Sequence, residues 1–344
     1  MKIGKFIIGH GKPFVIAEVS GNHNKSLKTA LKLIKLCSQI GAQAIKFQTF
    51  LPNEITLNHK SKYFKINDKN NLWNGQYLYD LYKKSHMPRS WYETIIKEAK
   101  LSKILLFSSV FDFNSLDFLE KLNVPAYKIA SFESNHFPLI KEVAKTNKPI
   151  IVSTGMNSLK ENDELVDLLN KVAKNNFCLL KCTSTYPASP INNNLLAIKE
   201  MKNRYKCEIG LSDHTKGITT PIAATALGAS IIEKHVMLKK TGIDSGFSIN
   251  IDEFKKMILE INHAYISLGS KKIQPSSDEL KSRKYRRSIF VSENINKGDT
   301  FTMENIKIIR PNYGMHPKYF HKIIGKVARR DYLKGEPLKI KLKK

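Results

Sequence analysis

The sequence predicts an α/β protein: a closed parallel (β/α)8 TIM barrel followed by a small β-rich domain. Three observations carry that reading. From residue 14 to about 270, a short β-prone run, a polar end and an amphipathic helical stretch recur eight times, the pattern of parallel strands joined by crossover helices. The first strand-to-helix turn lacks the glycine-rich loop usual in an open, doubly wound sheet, the main alternative. After residue 270 the alternation stops, and a polar stretch gives way to short strand-like runs. The expected boundaries are 1–270 for the barrel, 271–285 for a linker and 286–344 for the terminal domain.

The strand candidates, in order, are PFVIAEV (13–19), AIKFQT (44–49), ILLFSS (104–109), AYKIAS (126–131), PIIVST (149–154), FCLLKCT (177–183), EIGLSD (208–213) and SIIEKH (230–235). Each is short, apolar and rich in β-branched or aromatic residues, as a strand buried on both faces should be. Helical spacing appears between them: Leu27, Ala30, Leu31, Ile34 and Cys37 recur on one face before Gly41 ends the segment. SLDFLEKLNV starts where Asp112 and Asn114 offer capping groups. The stretch 50–90, with LWNGQYLYDLYKKSHMP, exceeds an ordinary crossover and reads as an insertion in the second βα loop, overhanging the barrel mouth. Its Trp73, Tyr77, Tyr79 and Tyr82 either pack the insertion onto the barrel or contact a ligand. The terminal domain offers SIFVSEN, IKIIRPN and IIGKVARRD as strands, separated by the turn-like NKGD, YGMHP and LKGEP.

Composition excludes some classes. With 42% hydrophobic and 25% charged residues the chain is an ordinary globular protein, and 344 residues suffice for a barrel plus something small. No leader pattern and no apolar run of membrane-spanning length is present, so a soluble, cytoplasmic protein without a membrane partner is expected. Cys37, Cys178, Cys182 and Cys207 lie in or beside apolar segments without zinc-type spacing, which suits reduced, buried thiols. The net charge of +27 would attract any anion, but its lysines are scattered and the only tight cluster is KSRKYRR (281–287). A solvated lysine-rich surface is the expectation, not a nucleic-acid partner.

Barrel active sites form at the C-terminal strand ends. Those ends carry Glu18; Lys46 and Gln48; Ser108 and Ser109; Lys128, Ser131 and Glu133; Ser153 and Thr154; Lys181, Thr183, Ser184 and Tyr186; Ser212, Asp213 and His214; Glu233, Lys234 and His235. Polar strand ends are ordinary, which accounts for the serines. Lysines inside apolar runs, at Lys46, Lys128, Lys181 and Lys234, must be paired or must serve an anion. His214 and His235 end neighbouring strands, beside Glu18 across the barrel closure. Two imidazoles with a carboxylate nearby suit a divalent first-row ion, Mn2+ first, with Co2+ or Fe2+ as alternatives. Mg2+, which prefers oxygen ligands, remains possible but less natural. Lysines and serines around such an ion suggest a small acid bearing phosphate and carboxylate. No GxxxxGK[ST] or GxSxG motif is present. A Schiff-base aldolase using Lys128 or Lys181 is the enzymatic rival.

AEVSGNHN, AIKFQTF, LYDLYKKSHMP, YKIASFE, IVSTGM, LLKCTSTYPASP, IGLSDHT, IIEKHVML and IRPNYG, in this order, resemble the sialic acid synthase family, and within it the bacterial pseudaminic acid branch. The resemblance spans residues 14–340. It implies metal-dependent condensation of phosphoenolpyruvate with an N-acetylated amino sugar, here a diacetamido deoxy-hexose, by a domain-swapped homodimer whose terminal domain is of the antifreeze-like (SAF) type. By the same resemblance, His214 and His235 match the metal ligands. Lys46, Lys128, Ser131, Ser153 and Ser212 match the phosphoenolpyruvate contacts, with Ser109 where Thr is common. Glu133 matches the carboxylate that handles the attacking water, Glu18 a second acidic group, and Glu133, Glu18 and Lys128 form the expected catalytic set. Tyr186 and Asp244 match sugar-side positions, and Arg310 the arginine sent into the neighbouring barrel to hold an N-acetyl group. Departures cluster around the sugar. Ser20-Gly21-Asn22-His23 replaces the neuraminate branch's G-I-N-H, Ser184 replaces an Asn, and KKTGIDSG before and around Asp244 is short. They favour a 6-deoxy diacetamido acceptor over N-acetylmannosamine.

Overall fold

The structure is a computed structural model that describes residues 1–69 and 71–342. The chain forms two compact units, Met1–Gly269 and Ser270–Lys344.

The first unit is a closed barrel of eight parallel strands: β1 (Phe14–Glu18), β2 (Ala44–Thr49), β3 (Leu105–Val110), β4 (Tyr127–Ile129), β5 (Ile150–Ser153), β6 (Phe177–Cys182), β7 (Glu208–Asp213) and β8 (Ile231–Met237). Each pairs with the next, and β8 returns to β1 in register, Ile231 opposite Phe14 and His235 opposite Glu18. A ninth short strand, Ile249–Asn250, lies parallel to the end of β8. The strands' apolar residues and the inner faces of the helices form one buried core, as layers of side chains fill such barrels. A short antiparallel pair, Lys2–Ile3 with Phe6–Ile7, approaches Leu105 and Glu208, the first residues of β3 and β7, and sends Ile3 and Ile8 into the core. It covers the end opposite the site.

Local rules explain the helices. Leu27–Gln39 begins at Ser26, whose hydroxyl accepts from the Thr29 amide, and buries Ala30, Leu33, Ile34 and Cys37. Phe113–Lys121 is capped by Asp112, which accepts from the amides of Asn114 and Ser115. Asn114 therefore lies inside the helix and is not its cap. The 50–90 insertion contains helices Pro52–Ile55 and Leu78–Ser85, with a 3-10 turn at Lys62–Phe64 between them. No described helix is long and apolar enough to cross a membrane.

The second unit has its own core of Ile289, Val291, Ile295, Phe301, Ile306, Phe320, Ile323, Ala328, Tyr332 and Leu338. Ser288–Val291 pairs antiparallel with Ile306–Ile309, Ser288 opposite Ile309. Two sequence expectations change here. IIGKVARRD is not a third strand: a short helix, Phe320–Ile323, and Gly325 at φ +83° break it, leaving single bridges at Val327 and Tyr332. The stretch expected as a polar linker, with no element assigned to it, holds helix Ser277–Ser282, started by a capping box between Ser276 and Glu279.

Candidate active site

The C-terminal strand ends and the loops beyond them enclose a cavity of about 580 Å³, a normal size for a small-molecule site. Its lining runs from Glu18 to Phe247, all within the barrel unit. Strand alternation decides which polar residues reach it. On β8 Glu233 and His235 face the cavity, as do Ser212 and His214 at the end of β7. Between them, Lys234 and Asp213 turn outward and pair with each other, Nζ to Oδ2 at 2.5 Å, with both side chains fully buried. Lys234 also donates to the Thr215 carbonyl. Lys181 donates to the Cys182 carbonyl at 3.0 Å and to Thr183 Oγ1 at 3.4 Å, outside the cavity lining. Of the four in-strand lysines, only Lys46 and Lys128 belong to the site.

Those two meet a pair of carboxylates. Lys46 Nζ lies 2.5 Å from Glu18 Oε2 and 3.8 Å from Glu233 Oε2, and it donates to Ser109 Oγ at 2.9 Å. Lys128 Nζ lies 3.5 Å from Glu233 Oε1, which also accepts from Ser212 Oγ at 3.1 Å. Burial works against the Lys46 ammonium, but Glu18 and Glu233 hold its pKa above the ordinary value. Burial lowers that of Lys128, opposed by Glu233. Burial pushes Glu18 up, while for Glu233 it is outweighed by Lys128 and Lys46, which hold that carboxylate ionised. The serines complete the floor. Ser131 Oγ accepts from the Gly155 amide at 3.1 Å, and Ser153 Oγ is buried without a hydrogen-bond partner among the described residues. Gly155 permits this convergence: a Cβ there would stand 2.1 Å from Ser184 Oγ and 2.8 Å from Ser131 Oγ. Two ammonium groups with hydroxyls around them are suited to an acid that carries two anionic groups.

The two histidines meet on the same wall, ring centroids 5.2 Å apart. His214 Nδ1 lies 3.0 Å from the Thr183 carbonyl, which makes that nitrogen the donor and leaves Nε2 as the lone-pair nitrogen of the neutral ring. Nδ1 of His235 is buried without a hydrogen-bond partner among the described residues. Burial, and then the positive neighbours His214 and Lys46, keep His235 far below its ordinary pKa, hence neutral as a ligand must be. For His214 burial acts the same way, but Cys182, with Sγ 3.8 Å from Nδ1, more than offsets it. Among the described residues no cluster of three His, Cys, Asp or Glu side chains is placed to hold a metal by itself. The two adjacent imidazoles supply at most two ligands, so an ion held here takes its others from water or substrate and needs His214 to lose its proton.

The remaining expected residues fall around this centre. Glu133 lines the cavity with Oε2 buried and without a hydrogen-bond partner among the described residues, and burial raises its pKa to about 8. Asp244 is buried at the rim, where Oδ2 accepts from the Gly21 amide at 2.9 Å. Tyr186 packs at a tilt against His214, ring centroids 4.5 Å apart, and Phe247 packs edge-on against His235 at 4.7 Å. Ser184 lines the cavity too. The insertion supplies an apolar wall of Ile55, Ile66, Trp73, Leu78 and Leu81. Trp73 rests on Tyr186 at 5.6 Å and donates through Nε1 to the Ile243 carbonyl at 3.3 Å. Tyr82 reaches the cavity, whereas Tyr77 lies beneath Lys60 at 4.4 Å and Tyr79 is not in the lining. Arg310 is exposed in the second unit. Glu233, the carboxylate linking both lysines, received no role from the sequence. The signal was its position two residues before His235 on one strand face.

A family model described as the NeuB family matches residues 33–273, and a SAF domain model matches 286–341. The chain belongs to the NeuB family. Its relatives include a pseudaminic acid synthase of Campylobacter jejuni, 41% identical over 341 residues and 98% of each chain. A pseudaminic acid synthase of Helicobacter pylori is 39% identical over 330 residues, 95% of this chain and 96% of that one. A crystal structure of N-acetylneuraminic acid synthetase from Leptospira borgpetersenii, in complex with citrate, superposes with a TM-score of 0.72. That match has 31% identity and covers 82% of this chain and 94% of that one. The family thus agrees with the barrel and with the terminal domain that follows it.

Proposed function

We propose that this chain is a pseudaminic acid synthase, condensing phosphoenolpyruvate with 2,4-diacetamido-2,4,6-trideoxy-L-altropyranose to give pseudaminic acid and phosphate. The observation that carries the reading is the juxtaposition of Lys46, Lys128 and four serine hydroxyls with two adjacent imidazoles in one cavity. An apolar wall from the insertion favours an acceptor ending in a methyl group. The 41% identity to the Campylobacter pseudaminic acid synthase supports the same acceptor.

Lys46 and Lys128 hold the carboxylate and phosphate of phosphoenolpyruvate, with Ser109, Ser131, Ser153 and Ser212 donating to their oxygens. His214 and His235 would hold a divalent ion, Mn2+ by preference, with Co2+ or Mg2+ as substitutes. When bound, that ion supplies Lewis-acid polarisation of a carbonyl. The residues orient C3 of phosphoenolpyruvate toward C1 of the open-chain sugar; the C2–C3 π pair forms the C–C bond and leaves C2 an oxocarbenium centre, while the proton carried by Glu133 goes to the aldehyde oxygen. Glu133 orients a water at C2 and accepts its proton, and the tetrahedral carbon then loses phosphate by C–O cleavage. Glu18 holds Lys46 in place and adds a second carboxyl near the sugar. Ser184, Tyr186 and Asp244 contact the sugar. Arg310 reaches the site of a partner subunit in a domain-swapped homodimer and binds an N-acetyl group there. The enzyme works in the cytoplasm.

The test is phosphate release from phosphoenolpyruvate by chelator-treated protein, with and without Mn2+, offered three acceptors in turn: the L-altro diacetamido sugar, its legionaminate-pathway counterpart, and N-acetylmannosamine. Release requiring both metal and the first sugar is the expected result. Release with another sugar keeps the chemistry and changes the product. Metal-independent turnover trapped by borohydride would mean a Schiff-base aldolase instead.

A further inference from the structure

We infer that Glu233 is a positioning residue that sets Lys128 for phosphoenolpyruvate. The inference rests on the reading of the cavity as a phosphoenolpyruvate site. The two site lysines are held very differently. Lys46 has three partners, Glu18 at 2.5 Å, Ser109 at 2.9 Å and Glu233 at 3.8 Å, so losing one leaves it anchored. Lys128 has a single ion pair among the described residues, with Glu233 Oε1 at 3.5 Å, and no hydrogen bond among them competes with it. Its long flexible stem crosses a buried space, where its side chain is only 3% exposed. An unanchored ammonium there would sample several rotamers, and ordering it would weaken substrate binding.

Glu233 is itself fixed. It stands on β8 in register with Ser212 of β7 and Ile16 of β1. Ser212 Oγ donates to the same Oε1 that faces Lys128, at 3.1 Å. Strand geometry therefore passes through Ser212 and Glu233 to the Lys128 ammonium. The other oxygen, Oε2, is buried without a hydrogen-bond partner among the described residues and faces Lys46. One carboxylate thus spaces both cations.

A negative charge inside an anion site also repels the substrate, and this lets the two roles be separated by sign. If Glu233 were only background charge, Glu233→Gln would lower the KM for phosphoenolpyruvate. If it positions Lys128, Glu233→Gln raises that KM, by roughly tenfold or more on the scale of small misplacements in active sites. The acceptor KM should then stay within about twofold, a split that general loss of structure would not produce.

The experiment measures both KM values and metal affinity in the full-length Mn2+ enzyme for Glu233→Gln, Lys128→Met and the double variant. In the double variant the phosphoenolpyruvate KM should be no worse than in Lys128→Met alone, because Glu233 acts through Lys128. Should Glu233→Gln fail to fold, Glu233→Asp keeps the charge but shortens the reach by one methylene, and the same direction is expected. An unchanged or lowered KM in the folded variant, or independent effects in the double variant, overturns the inference. A wild-type enzyme that does not consume phosphoenolpyruvate with any acceptor overturns the functional reading and this inference together.

Discussion

Glu133 carries a proton that its proposed role requires it to lose. Burial raises its carboxyl from 4.5 to about 8, so the folded protein binds that proton more tightly than the unfolded chain. Such a group lends stability that is complete below the unfolded pKa of 4.5 and is lost as pH rises through about 8. Glutamine has the same shape and cannot ionise. In chelator-treated protein, Glu133→Gln should therefore melt above wild type at about pH 9, with the difference vanishing toward pH 4.5; calorimetry across that range checks it. The same substitution should lower kcat by about 10²- to 10⁴-fold, the usual worth of a general base, with little change in either KM. Residue by residue, much of the site was legible because a lysine inside an apolar run demands a partner. What the runs alone did not settle was which face each lysine takes. Once His214 and His235 are placed inward, alternation sends Asp213 and Lys234 outward to each other and brings Glu233 inward. The role of Glu233 follows from phase, a step beyond residue type.

At the scale of elements, the eight strands were readable because a buried parallel strand is a compact apolar run with abrupt polar ends, and their observed limits fall within a residue or two of those runs. The insertion was legible in position but not in conformation. It is held by distant partners: Trp73 Nε1 reaches the Ile243 carbonyl, and Glu54 accepts from Arg89 at 2.7 Å and from Ser115 at 3.1 Å. No local period encodes such contacts. Helix Ser277–Ser282 was missed for the opposite reason, since its capping box was plain but its six residues bury nothing. The insertion's apolar wall makes a prediction at this scale. Trp73→Ala removes the ring that covers Tyr186 and Phe247. It should raise the acceptor KM about tenfold or more, as losing a large buried aromatic contact does, while the phosphoenolpyruvate KM stays near wild type. Steady-state kinetics with each substrate varied in turn would show the split; equal rises in both values would mean the wall shapes the whole cavity.

For the molecule as a whole, the change of texture after residue 270 corresponds to a second core of ten buried residues, from Ile289 to Leu338. A core that small is marginal by itself. The proposed exchange of this unit between subunits would give it a partner and would place Arg310 in the other subunit's cavity. That arrangement has a consequence no monomeric enzyme shares. A subunit with Arg310→Ala keeps a sound barrel but supplies a defective arm, and one with His235→Ala supplies a sound arm but keeps a defective barrel. Each homodimer should be nearly inactive. When the two proteins are unfolded together and refolded as a mixture, half the dimers pair one of each, and one of their two cavities receives both intact parts. About a quarter of the wild-type activity should then return, the statistical yield of random pairing in a two-fold dimer. Phosphate release from the refolded mixture, set against each variant refolded alone, measures it. Recovery near that level requires that Arg310 act across subunits, because no arrangement in which each arm serves its own barrel can rebuild a site from these two proteins. If Arg310→Ala alone is already active, or the mixture stays as inactive as its parts, the arm does not serve the neighbouring cavity.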